Sequence, residues 1–174
     1  LAAAGAAFAL GISTANIATA LSSHKNVSRW RMDLRIVAEI TVINDAYNAN
    51  PESMKAALKT LSLLTQESGG ISWAFLGKMH ELGEEEAAMH REVAAAAEEL
   101  GIDHLVAIGE RNYLDTTSSG KTSKHFVPHA NAAEKFFREI ESGDAVLIKA
   151  SRAENLDKLA EALYSNLGSR VEKE

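Results

Sequence analysis

Residues Val42 to Met54 read VINDAYNANPESM, and this stretch decides the fold. An apolar, β-branched run that begins at Ile40 predicts a strand leading into it. Asn50 is a favourable helix N-cap and Pro51 suits the first helical position, so a helix is predicted to leave it. A strand, a short polar loop and a helix N-terminus together form a binding crevice at the carboxyl edge of an α/β sheet.

The polar loop between this strand and this helix carries side chains that suit a nucleotide. Asp45 can accept hydrogen bonds from a diol such as ribose, and Tyr47 and the neighbouring asparagines can flank a flat base. The same residues also suit an ordinary strand-to-helix turn, in which Asn and Asp side chains bond nearby backbone groups. The loop chemistry by itself leaves both interpretations open.

The rest of the chain alternates apolar strands with amphipathic helices. Residues 32–43 predict a hairpin or two successive strands, and the polar residues 110–123 predict a loop with a short helical turn. The further predicted strands are 71–76, 104–108, 124–127 and 145–149, and the predicted helices are 51–66, 84–100, 131–140 and 156–167. This alternation is typical of the α/β class, and predicts a Rossmann-like, mainly parallel sheet with helices on both faces.

Two short helices are predicted before this sheet, at residues 1–10 and 14–21, and the first of them is expected to be buried. Polar residues cluster at 22–26, where we place a boundary. The apolar start is too short to span a membrane and lacks the basic leading region of a signal peptide. Because the chain does not begin with methionine, we expect a piece of a longer protein.

Composition narrows the classes of function. The 174 residues suit one ordinary domain with a small appendage, and a hydrophobic content of 46% suffices for a core. A net charge of -6 argues against a protein that binds nucleic acid. The absence of cysteine excludes disulfides, thiolate metal sites and a cysteine nucleophile, and it fits a reducing cytosol. We therefore expect a cytoplasmic protein with neither nucleic-acid nor membrane partners.

Two familiar motifs begin in this chain but are not completed. Gly120-Lys121-Thr122 resembles the end of a phosphate-binding P-loop, but Asp115 stands where that motif needs glycine. His80-Glu81 begins like a zinc-protease helix, but the second histidine is missing and Gly83 breaks the helix. The sequence therefore predicts neither a P-loop nor a metal site.

The segment Asp45–Met54 resembles the C-terminal-domain signature of the Mur ligases. Segments 28–33 (SRWRMD), 76–84 (LGKMHELGE) and 146–152 (VLIKASR) fit the same family in the same order. Within the family, the asparagine-rich run is most similar to the members that add D-alanyl-D-alanine to UDP-N-acetylmuramoyl tripeptide. The middle segment departs from the family, since Lys78 and His80 stand where an acidic and an apolar residue are usual.

The resemblance implies a division of the chain and a chemistry for the whole enzyme. Residues 1–25 would be the end of the central ATP-binding domain, and residues 26–174 the C-terminal domain. The enzyme would transfer the ATP γ-phosphate to the peptide carboxylate, and the amine of D-alanyl-D-alanine would then attack the acyl phosphate. Mg²⁺, the P-loop and the UDP-sugar site would belong mainly to the central and N-terminal domains, which are the expected partners. This chain alone is therefore expected to be inactive.

The resemblance also implies roles for individual residues. Arg31 matches the arginine that approaches the ATP phosphates, and a planar guanidinium suits that task. Asp45 matches the ribose-binding acid, and the positions that line the nucleotide cleft are Tyr47, Asn48 and Asn50. The residues placed to bind the carboxylate of the incoming dipeptide are Lys149, Ser151 and Arg152.

Other interpretations remain open from the residues themselves. Arg31 also suits a solvated edge strand, and Lys149 suits a strand end that reaches solvent. The chain as a whole also fits a non-catalytic α/β nucleotide-binding module, or another Mur-type ligase with a different amino-acid substrate.

Overall fold

The structure, a computed structural model, describes residues 2–23, 31–115 and 121–171. Its strands are β1 (Asp33–Val37), β2 (Ile40–Asp45), β3 (Ser72–Leu76), β4 (His104–Ile108), β5 (Ser123–Val127) and β6 (Ala145–Lys149). They form a six-stranded sheet in the order β1-β2-β6-β3-β4-β5. Strand β1 is antiparallel to β2, and the other neighbouring pairs are parallel. The predicted mainly parallel α/β architecture is therefore confirmed.

Helices cover both faces of this sheet. Helices α3 (Pro51–Ser68) and α4 (Glu86–Glu99) cover one face, and α5 (Asp157–Val171) covers the other together with the 3₁₀ segment Ala130–Glu139. Further 3₁₀ segments lie at Gly83–Glu85, Arg111–Leu114 and Arg152–Glu154. Two helices that precede the sheet, α1 (Ala2–Ala9) and α2 (Thr14–Ser23), pack against each other. Val42 belongs to the core that α5 covers, whereas Ile43 belongs to the core under α3 and α4. Successive strand residues point to opposite faces, so continuous apolar strands such as β2 supply both cores.

A tight hairpin joins β1 to β2. Of the two alternatives predicted for residues 32–43, a hairpin or two successive strands, the hairpin is the one that forms. Its loop residues, Ala38 and Glu39, have φ values of 51° and 60°. Positive φ at both central positions defines a type I′ turn, which normally favours Asn and Gly. Tertiary contacts hold this turn, because Gly143 N–H donates to the Glu39 carbonyl at 3.0 Å and the Ser142 hydroxyl donates to its carboxylate at 2.6 Å.

The predicted third helix is wound more tightly than an α-helix. Residues Ala130–Glu139 form a 3₁₀ segment. Ala130, Ala133 and Phe136 are spaced by three residues and face the core that α5 covers. Side chains three residues apart eclipse one another in a 3₁₀ helix, so this spacing gives a single apolar face in that winding.

The first two helices are not buried, which corrects the expectation for residues 1–10. Helix α1 packs against α2, yet the described residues of these helices are all at least partly exposed. Phe8 and Leu10 are 66% and 82% exposed. An alanine-rich sequence predicts a helix but does not supply the surface that would cover it.

Some predicted features fall outside the described residues. These are Arg29 and Trp30 of the segment 28–33, Gly120 of the incomplete P-loop motif, and most of the predicted boundary at 22–26. In the described part of the chain, no helix combines the length and the apolar character needed to cross a bilayer.

Candidate functional site

The carboxyl edge of the sheet gathers the predicted site residues. The loops that leave β2, β3, β4 and β6 start at this edge because these strands are parallel. Strand β1 runs the other way, and Asp33 at its amino end pairs with Asn44 at the carboxyl end of β2. The structure therefore brings to one edge the residues Arg31, Asp45, Tyr47, Asn48, Asn50, Lys149, Ser151 and Arg152.

A buried ion pair lies at the centre of this edge. Asp45 and Lys149 are register partners on β2 and β6, and the Lys149 ammonium lies 2.5 Å from Asp45 Oδ2. The two residues are 9% and 2% exposed. The same ammonium donates to the Asn48 carbonyl at 2.8 Å, and Asp45 Oδ1 accepts the Met32 N–H at 3.0 Å.

This pair limits what each partner can offer a ligand. Each carboxylate oxygen of Asp45 already accepts one hydrogen bond from the protein, and each retains further acceptor capacity. The ammonium of Lys149 uses two of its three donors within the chain. The ribose contact of Asp45 and the dipeptide contact of Lys149 therefore stay predictions, with the remaining lone pairs and the third donor as the available groups.

An exposed aromatic ring stands beside the ion pair with two cations near it. The guanidinium carbon of Arg31 lies 4.0 Å from the centroid of the Tyr47 ring, and that of Arg152 lies 5.9 Å from it. Tyr47 is 38% exposed. A guanidinium this close to an aromatic face is held by cation–π attraction, while its planar donors remain suited to phosphate or carboxylate. Two predicted sites, one for phosphate and one for the dipeptide, thus meet at one ring.

The two asparagines of the loop have different structural tasks. Asn50 caps α3 through its side chain, which accepts the Ser53 N–H at 2.8 Å, and the Ser53 hydroxyl accepts the Asn50 N–H at 3.1 Å. The predicted N-cap is thereby confirmed. Asn48 supplies its backbone carbonyl to Lys149, and its side chain is exposed at the edge. Contacts of either side chain with a nucleotide stay predictions.

The loop after β6 is bonded to the loop after β3. Buried Ser151 accepts the His80 N–H on its hydroxyl oxygen at 2.9 Å and donates its own N–H to the Lys78 carbonyl at 3.0 Å. Its hydroxyl hydrogen remains able to donate to a ligand carboxylate. These bonds place Ser151 and Arg152 on a fixed support, which suits a binding loop.

Lys78 and His80, the residues that depart from the family pattern, have partners that sequence reasoning did not identify. The Lys78 ammonium lies 2.7 Å from Glu86, and this hydrogen bond raises the pKa of Lys78 and lowers the pKa of Glu86. His80 Nε2 lies 2.5 Å from the Glu154 carboxylate. Both pairs are partly exposed and join the loop after β3 to its neighbours. The Lys78 pair joins that loop to the first residue of α4, and the His80 pair joins it to the 3₁₀ segment Arg152–Glu154, 74 positions along the chain.

Two buried side chains hold the loop after β3 from below. His90 Nε2 accepts the Met79 N–H at 2.9 Å while its Nδ1–H donates to the Glu86 carbonyl at 2.7 Å, and these two bonds fix the orientation of the ring. The Tyr113 hydroxyl donates to the Gly77 carbonyl at 2.9 Å, and burial raises the pKa of Tyr113 well above its usual range. The sequence did not indicate a role for His90, since only the fold brings it to this loop.

Across residues 2–23, 31–115 and 121–171, no group of three or more His, Asp or Glu side chains is arranged to hold a metal ion. The chemistry of the edge is instead that of guanidinium, ammonium and hydroxyl donors around one ring, which suits anionic ligands.

The fold and this edge define an α/β domain that gathers cationic side chains at the carboxyl ends of its parallel strands, the position where such sheets bind ligands. The family model described as "Mur ligase, glutamate ligase domain" matches residues 30–152, and the chain belongs to this family.

The similarity to individual relatives extends over nearly the whole chain. The UDP-N-acetylmuramoyl-tripeptide--D-alanyl-D-alanine ligase of Mycobacterium tuberculosis is 36% identical over 188 residues, which cover 95% of this chain and 37% of the relative. A crystal structure of MurF from Acinetobacter baumannii has a TM-score of 0.77 at 28% identity, over 91% of this chain and 35% of that one. MurF ligase from Thermotoga maritima in complex with ADP has a TM-score of 0.70 at 25% identity, over 86% and 34%. This chain spans a little over a third of the length of these relatives.

Proposed function

We propose that this chain is the C-terminal domain of an ATP-dependent ligase that adds D-alanyl-D-alanine to UDP-N-acetylmuramoyl tripeptide during peptidoglycan precursor synthesis. The observation that carries the proposal is the meeting of Arg31 and Arg152 at Tyr47, beside the Asp45–Lys149 pair. The names of the relatives supply the substrate, because the chain is similar to proteins named for this reaction.

In the proposed reaction, a peptide carboxylate oxygen takes the γ-phosphoryl group of ATP, which gives ADP and an acyl phosphate. The amine of D-alanyl-D-alanine attacks the acyl carbon, inorganic phosphate leaves, and the amine nitrogen gives up a proton as the amide forms. Mg²⁺, held mainly by the central domain, would neutralise phosphate charge. The central and N-terminal domains would also supply the P-loop and the UDP-sugar site.

The residues of this chain would bind and orient the two mobile substrates. Arg31 would place its planar donors against phosphoryl oxygens, where negative charge develops in the transition state. Asp45 would accept from the ribose hydroxyls through its remaining lone pairs, and Tyr47 would lie along the nucleotide together with Asn48 and Asn50.

A second group of residues would bind the amine substrate. Arg152 would pair with the terminal carboxylate of the dipeptide, and the Ser151 hydroxyl would donate to the same group. Both ends of the reaction would then lie near Tyr47, since both guanidinium groups do. The substrates are ATP and a nucleotide-linked precursor, so we place the ligase in the cytoplasm.

The substrate proposal is tested with the full-length ligase. Phosphate release is measured with ATP, UDP-N-acetylmuramoyl tripeptide and each of three amines: D-alanyl-D-alanine, D-glutamate and L-lysine. We expect amine-dependent turnover with the dipeptide only. Turnover with D-glutamate or L-lysine alone would assign the chain to another ligase of the family, and binding of ATP without turnover of any amine would favour a non-catalytic nucleotide-binding module.

The residue roles are tested by kinetics on arginine variants of the same protein. Arg31→Ala is expected to lower kcat on the order of a hundredfold with a smaller change in the KM for ATP, because it removes a transition-state donor. Arg31→Lys should restore only part of kcat, since an ammonium lacks the planar fork. Arg152→Ala should chiefly raise the KM for the dipeptide. Arg138→Ala, an exposed arginine on the 3₁₀ segment Ala130–Glu139, serves as the control.

A further inference from the structure

Lys149 occupies a position that a lysine rarely takes without a counter-charge. Its side chain is 2% exposed, at the end of a fully buried strand. Lysine is almost never fully buried unless it is paired, because an isolated ammonium loses its hydration. Asp45 supplies the counter-charge at 2.5 Å, and the Asn48 carbonyl supplies a second acceptor at 2.8 Å.

These contacts connect the loops that carry the proposed ligand groups. Asn48 is next to Tyr47 on the loop after β2, so the ammonium fixes the path of that loop. Asp45 in turn holds the Met32 N–H at 3.0 Å, next to Arg31. Lys149 is also followed closely in the chain by Ser151 and Arg152, the proposed dipeptide ligands. The buried ammonium of Lys149 therefore lies between three segments: the loop after β2, the segment before β1 and the loop after β6.

Resting on the function proposed above, we propose that Lys149 is a positioning residue for ATP: it acts through Asp45 and the Asn48 carbonyl and does not itself bind the dipeptide. The ammonium keeps the Asp45 carboxylate oriented, with its free lone pairs available to the ribose hydroxyls. It also fixes the loop on which Tyr47 stands. The role differs from the one proposed for Arg152, an exposed residue whose planar guanidinium is suited to pair with a ligand carboxylate.

The test uses the full-length ligase with Lys149→Met, Asp45→Asn and the double variant. Each single change leaves one buried charge without its partner, so each should lower Tm, and the double variant should regain part of that loss. Lys149→Met is expected to raise the KM for ATP, and the Kd for ATP measured by calorimetry, by about tenfold, in line with losing a hydrogen bond to a charged group. The KM for D-alanyl-D-alanine should stay within about twofold, because the proposed role involves no dipeptide contact.

Coupling between the two sites provides the readout that a merely structural role would not give. If Lys149 acts partly through Asp45, the double variant should bind ATP more tightly than the sum of the two single losses predicts, so that the two effects are non-additive. Lys55→Met is the matched control: Lys55 also lies 2.5 Å from a carboxylate, that of Glu92, but both side chains are exposed. Its loss should change neither Tm nor ATP binding measurably.

Three results would overturn the inference. A rise in the dipeptide KM with unchanged ATP binding would make Lys149 a direct dipeptide ligand. Additive losses in ATP binding would mean that Lys149 does not act through Asp45. A lowered Tm with unchanged ATP binding would reduce the pair to a structural role. If wild-type protein does not turn over D-alanyl-D-alanine, the proposed function fails, while the Kd for ATP of the variants still decides the role of Lys149.

Discussion

Gly77→Ala is expected to destabilise this chain, because a side chain at that position meets two buried residues. A Cβ added to Gly77 would lie 2.7 Å from the Ala150 Cβ and 3.0 Å from a methyl carbon of Leu156. Carbon atoms pack best about 3.5–4.0 Å apart, so the Ala150 contact alone requires a shift of roughly 1 Å. Ala150 and Leu156 are 0% and 1% exposed, so neither side chain can shift directly into solvent. Overpacking of this kind typically costs about 1–3 kcal/mol.

The clash should also separate two neighbouring segments, the loop after β3 that contains Gly77 and the end of β6. The Gly77 N–H donates to the Lys149 carbonyl at 2.9 Å, so separating the loops also weakens the support of the ligand site. Urea unfolding of the 174-residue chain, followed by circular dichroism, measures the free energy of unfolding. Ala150→Gly in the Gly77→Ala background removes the closest clashing atom and should recover part of the loss. The double-mutant cycle isolates that recovery from the cost of Ala150→Gly alone.

A matched glycine in a helix provides the control. Gly168 lies within α5, and a Cβ added there meets nothing within 4 Å. Gly168→Ala should therefore stabilise the chain by about 0.5–1 kcal/mol through helix propensity. If Gly77→Ala leaves the free energy of unfolding unchanged, or if Ala150→Gly gives no recovery in its background, the close-approach argument is wrong.

Three further outcomes are expected. Ala38→Gly should raise the free energy of unfolding by about 1 kcal/mol, because glycine adopts the observed φ of 51° without the strain of a Cβ. Ala56→Gly within α3 is the control and should lower the free energy of unfolding. If urea unfolding shows the same sign for both variants, the turn assignment is wrong. Burial, with a further contribution from His104, lowers the pKa of His125, so the stability it contributes should be present above its unfolded pKa near 6.5 and lost as pH falls below that value and through the lower folded pKa. His125→Phe should lessen the fall in Tm between pH 7 and pH 5, and an unchanged fall would assign that pH dependence to other groups. The 174-residue chain alone should release no phosphate from ATP, since the P-loop is expected in another domain; turnover by a clean preparation would refute that division.

Local sequence chemistry predicted the parts of the site that depend on neighbours in the chain. Asn50 and Pro51 predicted the start of α3, because an N-cap acts over three residues and proline restricts one φ angle. The apolar runs predicted the strands for the same reason. A helix was predicted at residues 131–140, but not the 3₁₀ winding that the structure has over Ala130–Glu139, since i to i+3 spacing also occurs on α-helices.

Contacts between distant residues could not be predicted in this way. Asp45 and Lys149 are separated by 104 positions, and their pairing depends on the register of β2 against β6. Strand order places β6 between β2 and β3, and one sequence contains no local signal for that order. His90 and Met79 meet because α4 packs beside the loop that follows β3. The chemistry of each side chain was visible in the sequence, but its partner was not.

The antiparallel strand β1 explains why the edge has a second guanidinium beside Arg152. In a wholly parallel sheet, the residue before a strand lies at the amino edge, away from the crevice. Because the Ala38–Glu39 turn reverses the chain, the amino end of β1 lies at the carboxyl end of β2, and Arg31 reaches the Tyr47 ring. The Met32 N–H then joins this segment to Asp45, so the hairpin and the buried ion pair fix the position of Arg31 together. A substitution that loosens the hairpin would therefore displace Arg31 from the Tyr47 ring, although the turn lies at the opposite edge of the sheet.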